Sequence, residues 1–176
     1  MNPTRGYTLI ELMVALGLFS IIMLLASGAY LMMIGITRKA QGLSTGVDNL
    51  SFALEVMTRN MRTGVNYSCD FASDCANGGN TFSFDANVNG ATVPITYSLV
   101  GNTIQEIKGT ETRTLTDASV NVSLLRFYVV GTAKTSVNDY QQPRVLMVVS
   151  GTVSSSALNT DRFYVQTGST MRGTDI

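Results

Sequence analysis

From Met13 to Ile36 the chain carries no charged residue, and this stretch limits what the rest can be. At ~1.5 Å per residue in a helix it more than covers the ~30 Å hydrocarbon core of a bilayer. Directly ahead stands Arg5-Gly6-Tyr7-Thr8-Leu9-Ile10-Glu11-Leu12, where Glu11 interrupts an otherwise apolar segment. A carboxylate costs roughly 2.5–3.5 kcal/mol at the bilayer centre on insertion scales, and less near an edge. Such a charge calls for a partner.

Composition argues against several classes of function. Lys and Arg (12) equal Asp and Glu (12), and beyond residue 65 there are seven basic and nine acidic residues, so no basic surface points to nucleic acid. The absence of His removes the commonest general base and metal ligand and leaves any Ser or Cys nucleophile without its usual partner. No catalytic residue and no cofactor is assigned, and the chain is read as a non-enzyme. Asp70, Asp74 and Asp85 admit a hard-cation reading. They lack an EF-hand spacing, so solvated turn residues without a metal are preferred.

Past Ile36 the helical signal continues. Ala40, Leu43, Val47, Leu50, Leu54, Met57 and Met61 recur at alternating spacings of three and four, with Arg38, Lys39, Asp48, Glu55 and Arg59 off the stripe. Arg59 and Arg62 suit a last helical turn, Glu55 lies four before Arg59, and Gly64 offers a left-handed closing residue. One helix is expected from Tyr7 to Thr63, apolar all round in its first half and on one face in its second. Gly28, Gly35 and Gly42 fall seven apart near one face. They admit close approach of neighbouring helices, local melting, or mere tolerance.

Strand signals follow. Thr81 to Asp85 alternates, Asn89-Gly90 marks a turn, and Val93, Ile95, Tyr97 and Leu99 alternate behind Pro94, which suggests an edge strand. Gly101-Asn102 reads as a two-residue hairpin into Thr103–Ile107. Between Val120 and Val130 the apolar parity switches after Leu124, which predicts a bulge or bend. Val145 to Val149 is continuously apolar, as in a central strand covered on both faces, and Phe163 to Thr167 is the last strand before a loose tail from Met171 to Ile176. Helix first and strands after is an α+β arrangement, with an antiparallel sheet laid on the amphipathic half of the helix.

The segment from Arg5 to Leu12, with its apolar continuation, closely resembles the amino-terminal signature of type IV pilins and type II secretion pseudopilins. The shared features are a short leader ending in Gly, an aromatic residue, Thr-Leu-Ile-Glu and an apolar helix. The resemblance implies that prepilin peptidase cuts between Gly6 and Tyr7 and methylates the new amino terminus on Tyr7. It makes Glu11 the embedded carboxylate at the fifth mature position, with a role in assembly. Leu54 to Arg59, Ile95 to Leu99, Pro143 to Val145 and Val165 to Thr167 are similar to segments of J-type minor pseudopilins and W-type minor pilins. A secretory signal peptide or a plain signal anchor competes, but the apolar region of a cleaved signal is only about 7–15 residues long.

The flanking charges, Arg5 on one side and Arg38-Lys39 on the other, leave orientation open. The resemblance implies a cytoplasmic leader (residues 1–6), a hydrophobic transmembrane and polymerisation helix (7–36), its amphipathic continuation (37–64) and an exported β-rich domain (65–176). The expected location is the inner membrane, crossed once, and then a pilus or pseudopilus. Implied partners are prepilin peptidase, other pilin or pseudopilin subunits, the inner-membrane assembly platform and, before assembly, the lipid bilayer. In an oxidising compartment Cys69 and Cys75 are most simply a disulfide. It would be worth roughly 2–2.5 kcal/mol and would firm the helix-to-sheet connection. The function expected is a structural subunit, minor rather than major. The alternative is a signal-anchored exported module that binds a ligand, surface or DNA without polymerising.

Overall fold

The computed structural model describes residues 6–70, 72–133, 141–156 and 159–172. Two compact units divide the chain, Met1–Ala40 and Gln41–Ile176, and helix α1 (Leu9–Thr63) contributes to both. In the first unit the large apolar side chains from Leu9 to Ile36 are exposed, among them Leu9, Leu18, Leu25 and Met32, with Ile34 half-buried. The helix is long and apolar enough there to cross a membrane. Ser20 and Ser27 donate their hydroxyls to the carbonyls of Leu16 and Met23, both at 2.8 Å. These hydroxyls are satisfied inside the helix and need no water.

In the second unit the helix buries Gly46, Leu50, Ala53, Leu54, Met57 and Met61, with Leu43 packed beside them. The expected stripe holds at Leu43 and from Leu50 onward and fails at Ala40 and Val47: both stay exposed, and Gly46 faces inward instead. The reason is contact. A Cβ on Gly46 would fall 2.2 Å from Cγ1 of Val153, so only a residue without a side chain lets the helix lie this close.

The strands form two antiparallel sheets rather than the one expected. Their ranges are β1 (Val65–Cys69), β2 (Cys75–Gly79), β3 (Thr81–Val88), β4 (Ala91–Val100), β5 (Thr103–Lys108), β6 (Glu111–Thr114), β7 (Val120–Val130), β8 (Arg144–Ser156) and β9 (Asn159–Thr170). The first sheet runs β1-β3-β4-β5-β6 and the second β2-β7-β8-β9. Asp70, at a positive φ of 46°, turns the chain from one sheet toward the other. The predicted turn at Asn89-Gly90 and hairpin at Gly101-Asn102 are both present, the turn closing a second hairpin. Asn89 and Gly90 both have positive φ (53° and 86°), as a type I′ turn requires, and Gly101 alone does so in the next turn (60°), the mark of type II′.

Pro94 does not mark an edge, because β4 lies between β3 and β5. The β4–β5 ladder begins at Ile95 opposite Lys108, so the missing N–H of Pro94 falls just past its end, while the Pro94 carbonyl accepts from Gly109 at 2.9 Å. The parity switch in β7 is a register shift between Val122 and Leu124, which buries Val120, Val122, Leu125, Phe127 and Val129 and leaves Leu124 exposed. β8 is central and covered on both faces, though unequally: Val145, Met147 and Val149 are buried on one, and on the other Val148 is buried while Leu146 is exposed. Met171 belongs to no loose tail. It is buried, and its N–H donates to the Pro143 carbonyl at 2.9 Å; residues 173–176 lie outside the described residues.

Both sheets and the helix share one core. Phe82 of β3 stacks on Phe127 of β7 with ring centroids 5.5 Å apart, and Tyr67 meets Phe82 edge-on at 5.1 Å. Gly64 closes the helix, but not through the left-handed region, which Asn66 occupies instead (φ 56°). What excludes a side chain at Gly64 is the Phe84 ring, 2.2 Å from where a Cβ would stand.

Candidate functional site

The processing junction is sterically open. Nothing lies within 4 Å of a Cβ built on Gly6, and Tyr7 is 86% exposed. Residues 1–5 of the leader lie outside the described residues. Helix α1 begins at Leu9, two residues later than expected, because Thr8 caps it: its Oγ1 accepts the Glu11 backbone N–H at 3.3 Å. Thr8-Leu9-Ile10-Glu11 has the spacing of a capping box, a local sequence signal for a helix that starts at Leu9.

The cap changes the account of Glu11. In the first turn its carboxylate meets the positive end of the helix dipole, worth about 0.3–1 kcal/mol. That is less than the several kcal/mol that an unpaired charge costs in a low-dielectric bundle, so the cap does not remove the need for a cation. Glu11 is exposed, and no ion pair to it is formed among the described residues. The three spaced glycines do not resolve into one role. A Cβ at Gly28 or Gly35 would meet open space within the chain, and Gly42 is half-buried.

Cys69 and Cys75 form a disulfide, with Cα atoms 5.9 Å apart. The bridge ties β1 to β2, and so joins the two sheets; the expected helix-to-sheet brace is corrected to a sheet-to-sheet one. Its flanking carboxylates are not merely solvated. Asp70 accepts from the N–H and Oγ1 of Thr81, both at 2.8 Å, and from the N–H of Asn80. Asp74 accepts from Thr132 Oγ1 at 2.6 Å and from the N–H groups of Thr132 and Gly131. Partial desolvation pushes both carboxyls up, but these hydrogen bonds, with the field of Arg126 at Asp70, hold both below the usual carboxylate range. Asp85 stands apart and takes the side-chain amide of Asn66 at 2.9 Å. Each aspartate thus locks a turn or a strand end.

A buried polar cluster was not anticipated. Glu106 is 4% exposed, and its Oε1 accepts from the Tyr97 hydroxyl at 3.0 Å and from Asn60 of the helix at 3.3 Å. Its Oε2 pairs with Arg113 at 2.8 Å. The signal was present, since Glu106 shares the parity of buried Ile104 in β5. Burial pushes the Tyr97 hydroxyl well up, and Tyr67, whose hydroxyl donates to the Met61 carbonyl, is pushed up by burial to about 12. Both stay neutral and pin the helix to the first sheet, Tyr67 by donating to the Met61 carbonyl and Tyr97 by accepting from the Asn60 side-chain amide at 3.0 Å.

Residues 1–27 match the family described as the prokaryotic N-terminal methylation motif. Comparison with curated proteins and with solved structures found no match. The matched residues include Gly6, Tyr7, Glu11 and the first half of the apolar run. The chain carries a type IV pilin-like prepilin signature ahead of an α+β module whose two sheets are joined by a disulfide.

Proposed function

We propose that the chain is a minor structural subunit of a type IV pilus or a type II secretion pseudopilus, cut between Gly6 and Tyr7, methylated on Tyr7 and assembled through its amino-terminal helix. The observation that carries this reading is a coincidence. The stretch that matches the methylation motif leads directly into a helix whose large apolar side chains have no cover of their own between Leu9 and Ile36. Exposed apolar surface of that extent needs lipid or similar helices. The chain uses both in turn, lipid as a single-pass inner-membrane precursor with residues 65–176 exported, then neighbouring subunits in the filament. Prepilin peptidase and the inner-membrane assembly platform are its partners in that passage, and it is not an enzyme. The minor role is supported by the long strand-rich module and by the segments similar to J-type and W-type subunits.

Glu11 gives assembly its register. Cleavage creates an amine on Tyr7 one helical turn away, and in an apolar bundle that cation neutralises the Glu11 carboxylate of the adjacent subunit, favouring one stagger over others. Glu11→Ala is expected to leave export, cleavage and the folded module intact while reducing intersubunit crosslinks through the amino-terminal helix. Crosslink yields equal to those of the unsubstituted chain would refute the pairing.

A further inference from the structure

An arginine-lined cleft stands at one end of the second sheet. Its volume is about 770 Å³, and Arg62 of α1, Arg144 at the start of β8 and Arg172 just beyond β9 reach it from three elements. Arg62 and Arg172 are tied together through their backbones, the Arg172 N–H donating to the Arg62 carbonyl at 3.0 Å. Tyr128, Leu146 and Met171 give the cleft an apolar wall. Among the described residues no acidic side chain lines it, and the ion pairs formed there, Arg59–Glu55 and Arg113–Glu106, involve none of the three arginines.

The bland explanation covers one of the three. Arg62 stands in the last turn of α1, where a cation meets the negative end of the helix dipole. That does not account for Arg144 or Arg172, which lie on other elements. Like charges gathered around a partly apolar cleft are relieved by an anion, and the guanidinium fork matches the planar carboxylate in two-point hydrogen bonding.

We propose that this cleft binds a short acidic peptide segment of another protein, with carboxylates on the arginines and an apolar side chain against Tyr128, Leu146 and Met171. A long polyanion fits less well. Residues 66–176 carry seven basic and nine acidic residues, a net of two negative charges, so the wider field opposes nucleic acid while a short segment meets the local arginines. The proposal does not depend on filament assembly.

The test uses the full chain in neutral detergent micelles and a fluorescein-labelled hexapeptide alternating leucine with glutamate, read by fluorescence anisotropy. Saturable binding is expected, at least about tenfold tighter than for the counterpart alternating leucine with glutamine, the size of one charge-assisted hydrogen bond. Arg144→Gln and Arg172→Gln should each weaken it, and the two together should abolish the preference for glutamate. Both side chains are exposed, so the folded module should survive, as near-ultraviolet circular dichroism would verify. Equal affinity for the two peptides, or affinity unchanged in the double variant, would overturn the proposal. So would tighter binding of a labelled oligothymidylate than of the acidic peptide.

Discussion

Two stretches of the same helix, one apolar all round and one apolar on a single face, behave in opposite ways. Between Leu9 and Ile36 nearly all the large apolar side chains stand exposed, whereas between Gly46 and Met61 a single face is buried. The difference lies in what the chain provides. For the second stretch it supplies two sheets that close over Leu50, Met57 and Met61; for the first, nothing within its own unit covers the surface. Apolar content alone does not decide burial, and the uncovered stretch is where function from outside the fold must enter.

The comparison breaks most sharply by truncation. Met57→Ala is expected to destabilise the second unit by about 2–5 kcal/mol, the usual cost of emptying a buried site. Leu18→Ala, in the exposed stretch, should leave its stability unchanged. Chemical denaturation of both variants in detergent would measure this, and comparable losses would show that the exposed stretch is packed on the fold after all.

A smaller effect is expected at the sheet junction. Replacing Cys69 and Cys75 by Ala should lower stability by about 2 kcal/mol, a fraction of the 5–15 typical of a domain. Because the bridge joins β1 to β2, amide exchange should rise in those two strands first and leave the β3–β4–β5 ladder protected. Exchange that rises equally in all strands would contradict the sheet-to-sheet role.

How much of this was legible depends on the range of the physics involved. Short-range signals carried the two hairpins, the β7 bulge and the disulfide pair, because turn chemistry and side-chain parity act over a few residues. What failed involved partners distant in sequence. Gly46 faces inward because of Val153, Gly64 is required by Phe84, and Pro94 is tolerated in a central strand because the β5 ladder stops beside it. β1 and β2 escaped notice because they are only five residues each and flank the two cysteines, where composition reads as loop. Gly6, Tyr7 and Glu11 were legible as a motif, but the Thr8 cap that starts the helix between them was not drawn from it.

The mildest test concerns acid. Asp70 and Asp74 have carboxyls held below their ordinary range in the folded chain. A depressed value stabilises above the unfolded pKa, about 3.9, and that stability is lost as the pH falls through the lower folded value. The second unit should therefore lose stability below about pH 4, within the ordinary carboxylate range. Asp70→Asn should flatten that limb while leaving the exposed stretch of the helix unaffected. A pH profile identical to that of the unsubstituted chain would remove Asp70 from the account.

The central claim is that the exposed stretch begins a processed subunit, and the intact mass of the protein recovered from membranes or filaments tests it most directly. The expected mass is lower than that of the unprocessed chain by residues 1–6 and higher by one methyl group, with the disulfide closed and Tyr7 at the amino terminus. A chain that retains residues 1–6 in assembled material would contradict it and leave an uncleaved signal anchor in its place.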